Sequence, residues 1–167
     1  MKNIKLLLGM LLGTLLVVII IAVAFSQKAS APIEMKRVIG DERRATGSAT
    51  PKVTLVEFSD FQCPACRAAW PLVDQLMAQY GEQVRFIYRN FPLTTLHKNS
   101  QAAALAAETA GSVGKYWEYH NMLFDRQQEW AEKSAQEAES LFINYGAALN
   151  IPPELMKVSL ANKTFEQ

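Results

Sequence analysis

Val53-Thr54-Leu55-Val56-Glu57-Phe58-Ser59-Asp60-Phe61-Gln62-Cys63-Pro64-Ala65-Cys66 joins an apolar, β-branched run to the start of a helical one, and it holds both cysteines of this 167-residue chain. Val53 to Phe58 has the composition of a buried strand, and Val84-Arg85-Phe86-Ile87-Tyr88-Arg89 is a second such run. Between them the pattern turns helical from about Cys63 to Tyr80, with Trp70, Leu72, Val73, Leu76 and Met77 as its expected apolar face. Pro71 lies inside this helix, where a missing N–H and a clash with the preceding turn predict a kink near Trp70. Strand, helix, strand in that order predicts a right-handed βαβ unit in an α/β fold. The cysteine pair then sits at the carboxyl end of the first strand, where open α/β sheets place their chemistry.

Two sulfurs three positions apart at a helix start can close a small disulfide ring. Cys63 is nearer the N–H groups and positive dipole end of that helix, which favour a thiolate, so it is the expected nucleophile. A zinc site would need about four ligands, and His97 and His120 stand too far along the chain for finger-type spacing. A purely structural bridge is disfavoured, because so short a ring removes little entropy from the unfolded chain.

Net charge +1, with 20% charged and 50% hydrophobic residues, points away from disorder and from a broad nucleic-acid surface. No charged residue occurs from Leu6 to Phe25, a run long enough as a helix to span a bilayer core. Lys2 and Lys5 precede it, as in an export signal, but the run is longer than the apolar core of a cleaved signal peptide, which favours an uncleaved anchor. Ala22-Val23-Ala24 or Ala29-Ser30-Ala31 would serve the alternative, cleavage and secretion. Lys28, Lys36, Arg37, Arg43 and Arg44 follow the span and outnumber the lysines before it, which by the charge rule opposes export. The short basic leader argues for export, and Glu34, Asp41 and Glu42 dilute the following charge.

Ser26 to Pro51 reads as a tether, with Ile33 to Ile39 its one strand-like stretch. After Asn90-Phe91-Pro92 the period is helical almost to the end: Ser100 to Ala110, Lys115 to Gln128, Ser134 to Leu149 with a capping box from Ser134 and Glu137, and a last short helix from Pro152 and Pro153 to about Asn162. His120 shares a helix face with Trp117 and Phe124 and is expected to be packed and hydrogen-bonded; Trp70, Trp117 and Trp130 are expected in the core or at its edge. His97 precedes a helix, where satisfying local backbone is the favoured role over catalysis.

The segment from Gly47 to Cys66 resembles the opening of exported DsbA-like thiol:disulfide oxidoreductases, and the resemblance continues through Arg89-Asn90-Phe91-Pro92-Leu93, the alanine-rich helix and Gly114-Lys115-Tyr116-Trp117-Glu118-Tyr119-His120, covering about residues 47 to 165. It implies a thioredoxin-like βαβ sheet unit carrying an inserted helical domain. It also implies that Cys63 and Cys66 form the redox disulfide, with Cys63 as nucleophile and Cys66 as resolving thiol. Glu57 matches the acidic strand residue beneath the active site in that family and could exchange a proton with Cys66; the alternative is a solvent-facing carboxylate. The organisation expected is an anchor or signal segment at 1–25, a linker at 26–46, the βαβ unit with the CxxC at 47–97 and the helical domain at 98–167.

Two departures accompany the resemblance. Pro64-Ala65 places no ionisable group beside Cys63, and nothing after Pro153 resembles the family's cis-proline turn, C-terminal strands and closing helix, so the fold is expected to lack them; a truncated form is favoured over a partner that supplies the missing strands. The function expected is donation of the Cys63–Cys66 disulfide to reduced exported polypeptides, on the extracytoplasmic side, without cofactor or metal, with reoxidation by a quinone-linked membrane thiol oxidase as the resemblance implies. A reductase or isomerase is the same chemistry at another potential. A redox-inactive client-binding module is the alternative of a different class.

Overall fold

In the computed structural model, which describes residues 2–26, 34–40 and 44–162, Lys2–Ser26 forms a single helix, α1. Its stretch Asn3–Ala24 has a mean hydropathy of 3.0 and is long and apolar enough to cross a membrane. Lys28, Asp41, Glu42, Arg43 and the Ala29-Ser30-Ala31 cleavage site lie outside the described residues, as do 27–33 and 41–43 of the expected linker and 163–167 of the expected helical domain. Met1–Val38 and Ile39–Gln167 form two compact units.

The strand-like reading of Ile33 to Ile39 does not hold where it can be judged: Met35–Ile39 is a short helix, α2, its first turn closed by the Glu34 carbonyl accepting from Arg37 N at 2.8 Å. The tether also ends earlier than composition suggested, because Ala45–Gly47 forms strand β1. Three small residues carry almost no strand signal of their own. Their pairing comes from the edge of a neighbouring strand, a tertiary partner that local propensity cannot report. Gly47 has φ +89°, and a Cβ there would collide with the Val84 carbonyl, so glycine is required as the chain leaves β1.

Among the described residues the sheet has three strands in the order β1-β3-β2. Val53–Ser59 is β2 and Val84–Asn90 is β3; they pair in parallel, with Leu55 opposite Phe86, Glu57 opposite Tyr88 and Ser59 opposite Asn90. β1 is antiparallel to β3. Helix α3, Pro64–Tyr80, provides the crossover between β2 and β3. Cys66, Trp70, Val73 and Met77 pack against the core from α3, the i, i+4, i+7, i+11 stripe of one helix face. Leu72 falls on the opposite side and is 67% exposed, which removes it from the expected apolar face.

Among the described residues five helices follow: α4 Ser100–Ser112, α5 Tyr116–Asp125, α6 Gln127–Trp130, α7 Ala135–Ala148 and α8 Pro153–Asn162. The run expected from Lys115 to Gln128 is thus two helices, broken at Arg126. The Ser134–Glu137 capping box forms at the start of α7, with Ser134 N donating to Glu137 Oε2 at 3.0 Å. Alanines 103, 104, 106, 107 and 110 are buried, letting α4 sit close to its neighbours. Tyr119 Oη donates to the Phe142 carbonyl at 2.7 Å and Trp130 Nε1 to the Leu123 carbonyl at 3.1 Å, so these buried aromatics satisfy their polar atoms on main chain. Trp130 is fully buried, while Trp70 and Trp117 pack against the core partly covered, as expected.

Candidate active site

Cys63 is the N-cap of α3, in extended conformation, with Pro64 opening the helix where its missing N–H leaves no bond unmade. Cys66 lies one turn in. Both are partly buried free thiols. Burial is the main cause raising the Cys66 thiol above its ordinary value, and the neighbouring Cys63 adds to it; the Asp60 backbone and the Ser59 hydroxyl act the other way. Pro71 lies inside α3, beyond both sulfurs.

The loop into the pair is built around Asp60, which is 3% exposed. Its Oδ1 accepts from Gln62 N at 2.8 Å and its Oδ2 from Leu93 N at 2.9 Å, while its carbonyl accepts from Cys63 N at 3.0 Å. His97 Nδ1 stands 2.7 Å from the same Oδ2. His97 therefore braces the active-site loop through a side chain 37 positions away, instead of serving local backbone alone as expected.

The helices clasp this loop from the other side. Gln127 Nε2 donates to the Phe61 carbonyl at 2.7 Å and to the Cys63 carbonyl at 3.0 Å. Gln62 Nε2 donates to the Ala131 carbonyl at 2.6 Å and its Oε1 accepts from Asn99 N at 2.7 Å. Asn99 Nδ2 in turn reaches the carbonyls of Trp130, Ala131 and Lys133. Asp60, Gln62, Asn99 and Gln127 are all buried, and sequence reading missed all four. Asp60 had a usable signal, an Asp two positions before a turn residue at a helix entrance. The amides had none, since buried and exposed amides look alike in one sequence.

Beneath the pair, Glu57 and Ser59 project from the same face of β2, and Tyr88 and Asn90 from the same face of β3 beside them. Glu57 is partly buried rather than facing solvent, and burial raises its carboxyl above the usual carboxylate range, partly offset by the Ser59 hydroxyl. Burial likewise holds the Tyr88 phenol well above its ordinary value. Asn90 Nδ2 donates to Glu108 Oε1 at 2.8 Å, and Glu108 forms a buried ion pair with Arg44. His120 sits among Phe61, Trp70, Tyr88, Trp117 and Phe124, fully buried, with Nδ1 3.0 Å from Asn121 Oδ1; burial lowers its pKa to about 4. It is the packed histidine the helix face implied.

A small recess of about 180 Å³, lined by Gln62, Pro64, Leu96, His97, Lys98 and Glu132, opens beside the pair. Leu96 there is 75% exposed.

A family model described as thioredoxin matches residues 40–166. The chain belongs to the thioredoxin family. Among solved structures, a thioredoxin-like oxidoreductase from Silicibacter pomeroyi DSS-3 is similar with a TM-score of 0.62 at 27% identity, over 77% of this chain and 69% of that one. The thiol-disulfide exchange protein alpha-DsbA2 from Wolbachia pipientis is similar with a TM-score of 0.63 at 19% identity, over 78% of this chain and 65% of that one, a likeness of fold. A curated relative, the Na(+)/H(+) antiporter NhaA 3 of Salinispora tropica, is 42% identical over 89 residues; the match covers 53% of this chain and 14% of the antiporter, so this thioredoxin-family chain spans a small part of that protein. The α/β architecture, a small parallel βαβ unit with a large helical portion, is the DsbA-like thioredoxin fold expected from the resemblance.

Proposed function

We propose that this chain is a thiol–disulfide oxidoreductase that donates a Cys63–Cys66 disulfide to reduced thiols of exported polypeptides. The observation that carries this reading is the placement of the two thiols: Cys63 at the N-cap of α3, and Cys66 one turn in, its thiol raised by burial. A substrate thiolate attacks Cys63 Sγ, the Cys63–Cys66 bond breaks, and Cys66 leaves as a thiolate that takes up a proton. The second substrate thiolate then attacks its own sulfur in the mixed disulfide. The substrate disulfide forms, and Cys63 leaves as a thiolate at the helix N-terminus, where the N–H groups and dipole favour it. The pair ends reduced, the substrate oxidised by two electrons, and neither a cofactor nor a metal is needed.

In this reading residues 47–97 carry the chemistry, with Cys63 as nucleophile, Cys66 as resolving thiol and Glu57 as the proton partner of Cys66. The helical domain holds the loop in register through Asn99, Gln127 and the Ala131 carbonyl, and its Lys98 and Glu132 form part of the recess beside Pro64, where a substrate segment can rest. Residues 1–25 anchor the domain on the extracytoplasmic side, and a quinone-linked membrane thiol oxidase returns the pair to its disulfide. The test is stoichiometric oxidation of a reduced dithiol peptide by the oxidised full chain in detergent micelles, read by mass. A chain that leaves the peptide reduced, yet binds unfolded clients equally well after both cysteines are changed to serine, is a binding module and not an oxidoreductase.

A further inference from the structure

Glu57 Oε2, Ser59 Oγ and Tyr88 Oη are three of the four buried oxygens on one face of the sheet that have no hydrogen-bond partner among the described residues, Asn90 Oδ1 being the fourth. Glu57 and Ser59 are two positions apart on β2 and Tyr88 stands opposite Glu57 on β3, so all three point to the same side, towards the layer that contains Cys66. Ser59 is 2% exposed, and a hydroxyl left without a hydrogen bond at such a site costs about 1–3 kcal/mol. A serine hydroxyl can donate one hydrogen while accepting another, so it can pass a proton between a carboxyl and a thiolate that do not touch.

We propose that the Ser59 hydroxyl is the proton carrier between Glu57 and Cys66, a catalytic role that rests on the oxidoreductase reading. When Cys66 leaves as a thiolate, Ser59 Oγ gives its hydrogen to the sulfur and takes one from the Glu57 carboxyl. Cys66 ends as a thiol, Glu57 as a carboxylate and Ser59 unchanged, and solvent later reprotonates Glu57. The steps run backwards when the pair is reoxidised. The position of Ser59 on this face, one residue pair from Glu57 and Tyr88 and under the layer of Cys66, carries the assignment, and the lowering effect of its hydroxyl on Glu57, Cys66 and Tyr88 agrees with it. The other titratable and charged groups near the cluster are Cys63 on α3, Tyr116 and His120 on α5, Glu108 on α4, and Arg44. Burial holds both tyrosines well above their ordinary values and lowers His120 to about 4, so these three do not titrate near neutral pH.

Two measurements on the full chain in detergent micelles test this. The first is independent of turnover: thiolate absorbance titrated in Cys63→Ser and in Cys63→Ser/Ser59→Ala. Loss of one donor to the thiolate raises the Cys66 midpoint by about 0.5–1 pH unit; an unmoved midpoint places Ser59 out of contact with Cys66 and overturns the proposal. The second is the pH dependence of single-turnover peptide oxidation. Ser59→Ala is expected to slow the reaction about 10- to 100-fold and to erase the limb of the profile that Glu57→Gln also erases. The double variant is expected to be no slower than the slower single one. A Ser59→Ala protein that keeps the Glu57 limb, or effects that multiply in the double variant, refutes the relay. Should Ser59→Ala not fold, Ser59→Thr retains the hydroxyl and Ser59→Val is its isostere, and the limb must survive in the first and vanish in the second. A wild-type chain that does not oxidise the peptide overturns the oxidoreductase reading instead, while the thiolate titration still reports on Ser59.

Discussion

Replacing His120 by phenylalanine will make the protein resistant to mild acid. The imidazole is buried in a ring of aromatics, and its proton affinity in the fold corresponds to a pKa of about 4 against 6.5 in an unfolded chain. Between those two values the unfolded chain holds a proton that the folded one refuses. Stability contributed by neutral His120 is therefore intact above pH 6.5 and is lost as the pH falls towards 4. At about 1.4 kcal/mol per pH unit, the full difference is about 3 kcal/mol, of which about 2 kcal/mol is gone by pH 5. Phenylalanine fits the same aromatic surroundings, removes Nε2, which has no hydrogen-bond partner among the described residues, and gives up the contact with Asn121, so its stability at pH 7 should lie within about 1 kcal/mol of wild type.

The assay is denaturant unfolding of the full chain in detergent micelles at pH 7, 6 and 5, followed by fluorescence. Trp70 and Trp117 both lie against His120, with ring centroids 4.4 and 5.1 Å away, and report on that region directly. Glu57 has the opposite sign, its raised carboxyl adding stability as the pH falls, but it is present in both proteins and cancels in their difference. Wild type should lose about 2 kcal/mol more than His120→Phe between pH 7 and 5. Parallel pH curves would show that His120 titrates as it does in the unfolded chain, and the account of its burial would fail.

In reduced protein, iodoacetamide should modify Cys63 before Cys66, because burial holds the Cys66 thiol up; peptide mapping showing Cys66 modified first would reverse the assigned roles. Cys66→Ser should accumulate mixed disulfides through Cys63 on exposure to an oxidised peptide, whereas Cys63→Ser should trap little; equal trapping on non-reducing gels would remove the ordered exchange. Gln127→Leu strips hydrogen bonds from the Phe61 and Cys63 carbonyls and should destabilise the fold by about 2 kcal/mol, measured by denaturant midpoint, and shift the potential of the pair; an unchanged midpoint would show that the clasp contributes nothing.

The strand-helix-strand order was legible because Val53 to Phe58 and Val84 to Arg89 are long apolar runs whose period differs sharply from the helices around them. The cysteine pair was legible because its chemistry is written in two residues and a spacing. β1 was not, since Ala45-Thr46-Gly47 takes its conformation from β3. Leu72 was misplaced because adjacent apolar residues on a helix point about 100° apart, and the sequence of α3 alone does not say which side meets the sheet. The loop's supports escaped for a related reason. Gln62, Asn99 and Gln127 act across 31 to 69 positions, and nothing local distinguishes them from solvated amides.

The amides of Gln62, Asn99 and Gln127 grip main-chain atoms: the carbonyls of Phe61, Cys63, Trp130, Ala131 and Lys133 and the N–H of Asn99. A grip on main chain is indifferent to the side chains it passes. Lys133, which is exposed, can be exchanged for most residues that keep the local backbone path, and the loop before Cys63 will not register the change, whereas Ala131 packs against the core and is limited in size. Substitution at Gln62, Asn99 or Gln127 has no such freedom, since another side chain would have to reach the same atoms at the same angle. Tolerance at this edge of the site should therefore be lopsided, wide at the exposed Lys133, which is held only by its carbonyl, and narrow at Gln62, Asn99 and Gln127, which hold. Lys98 and Glu132, which line the recess beside Pro64, are thus open to change without disturbing the geometry of the thiols.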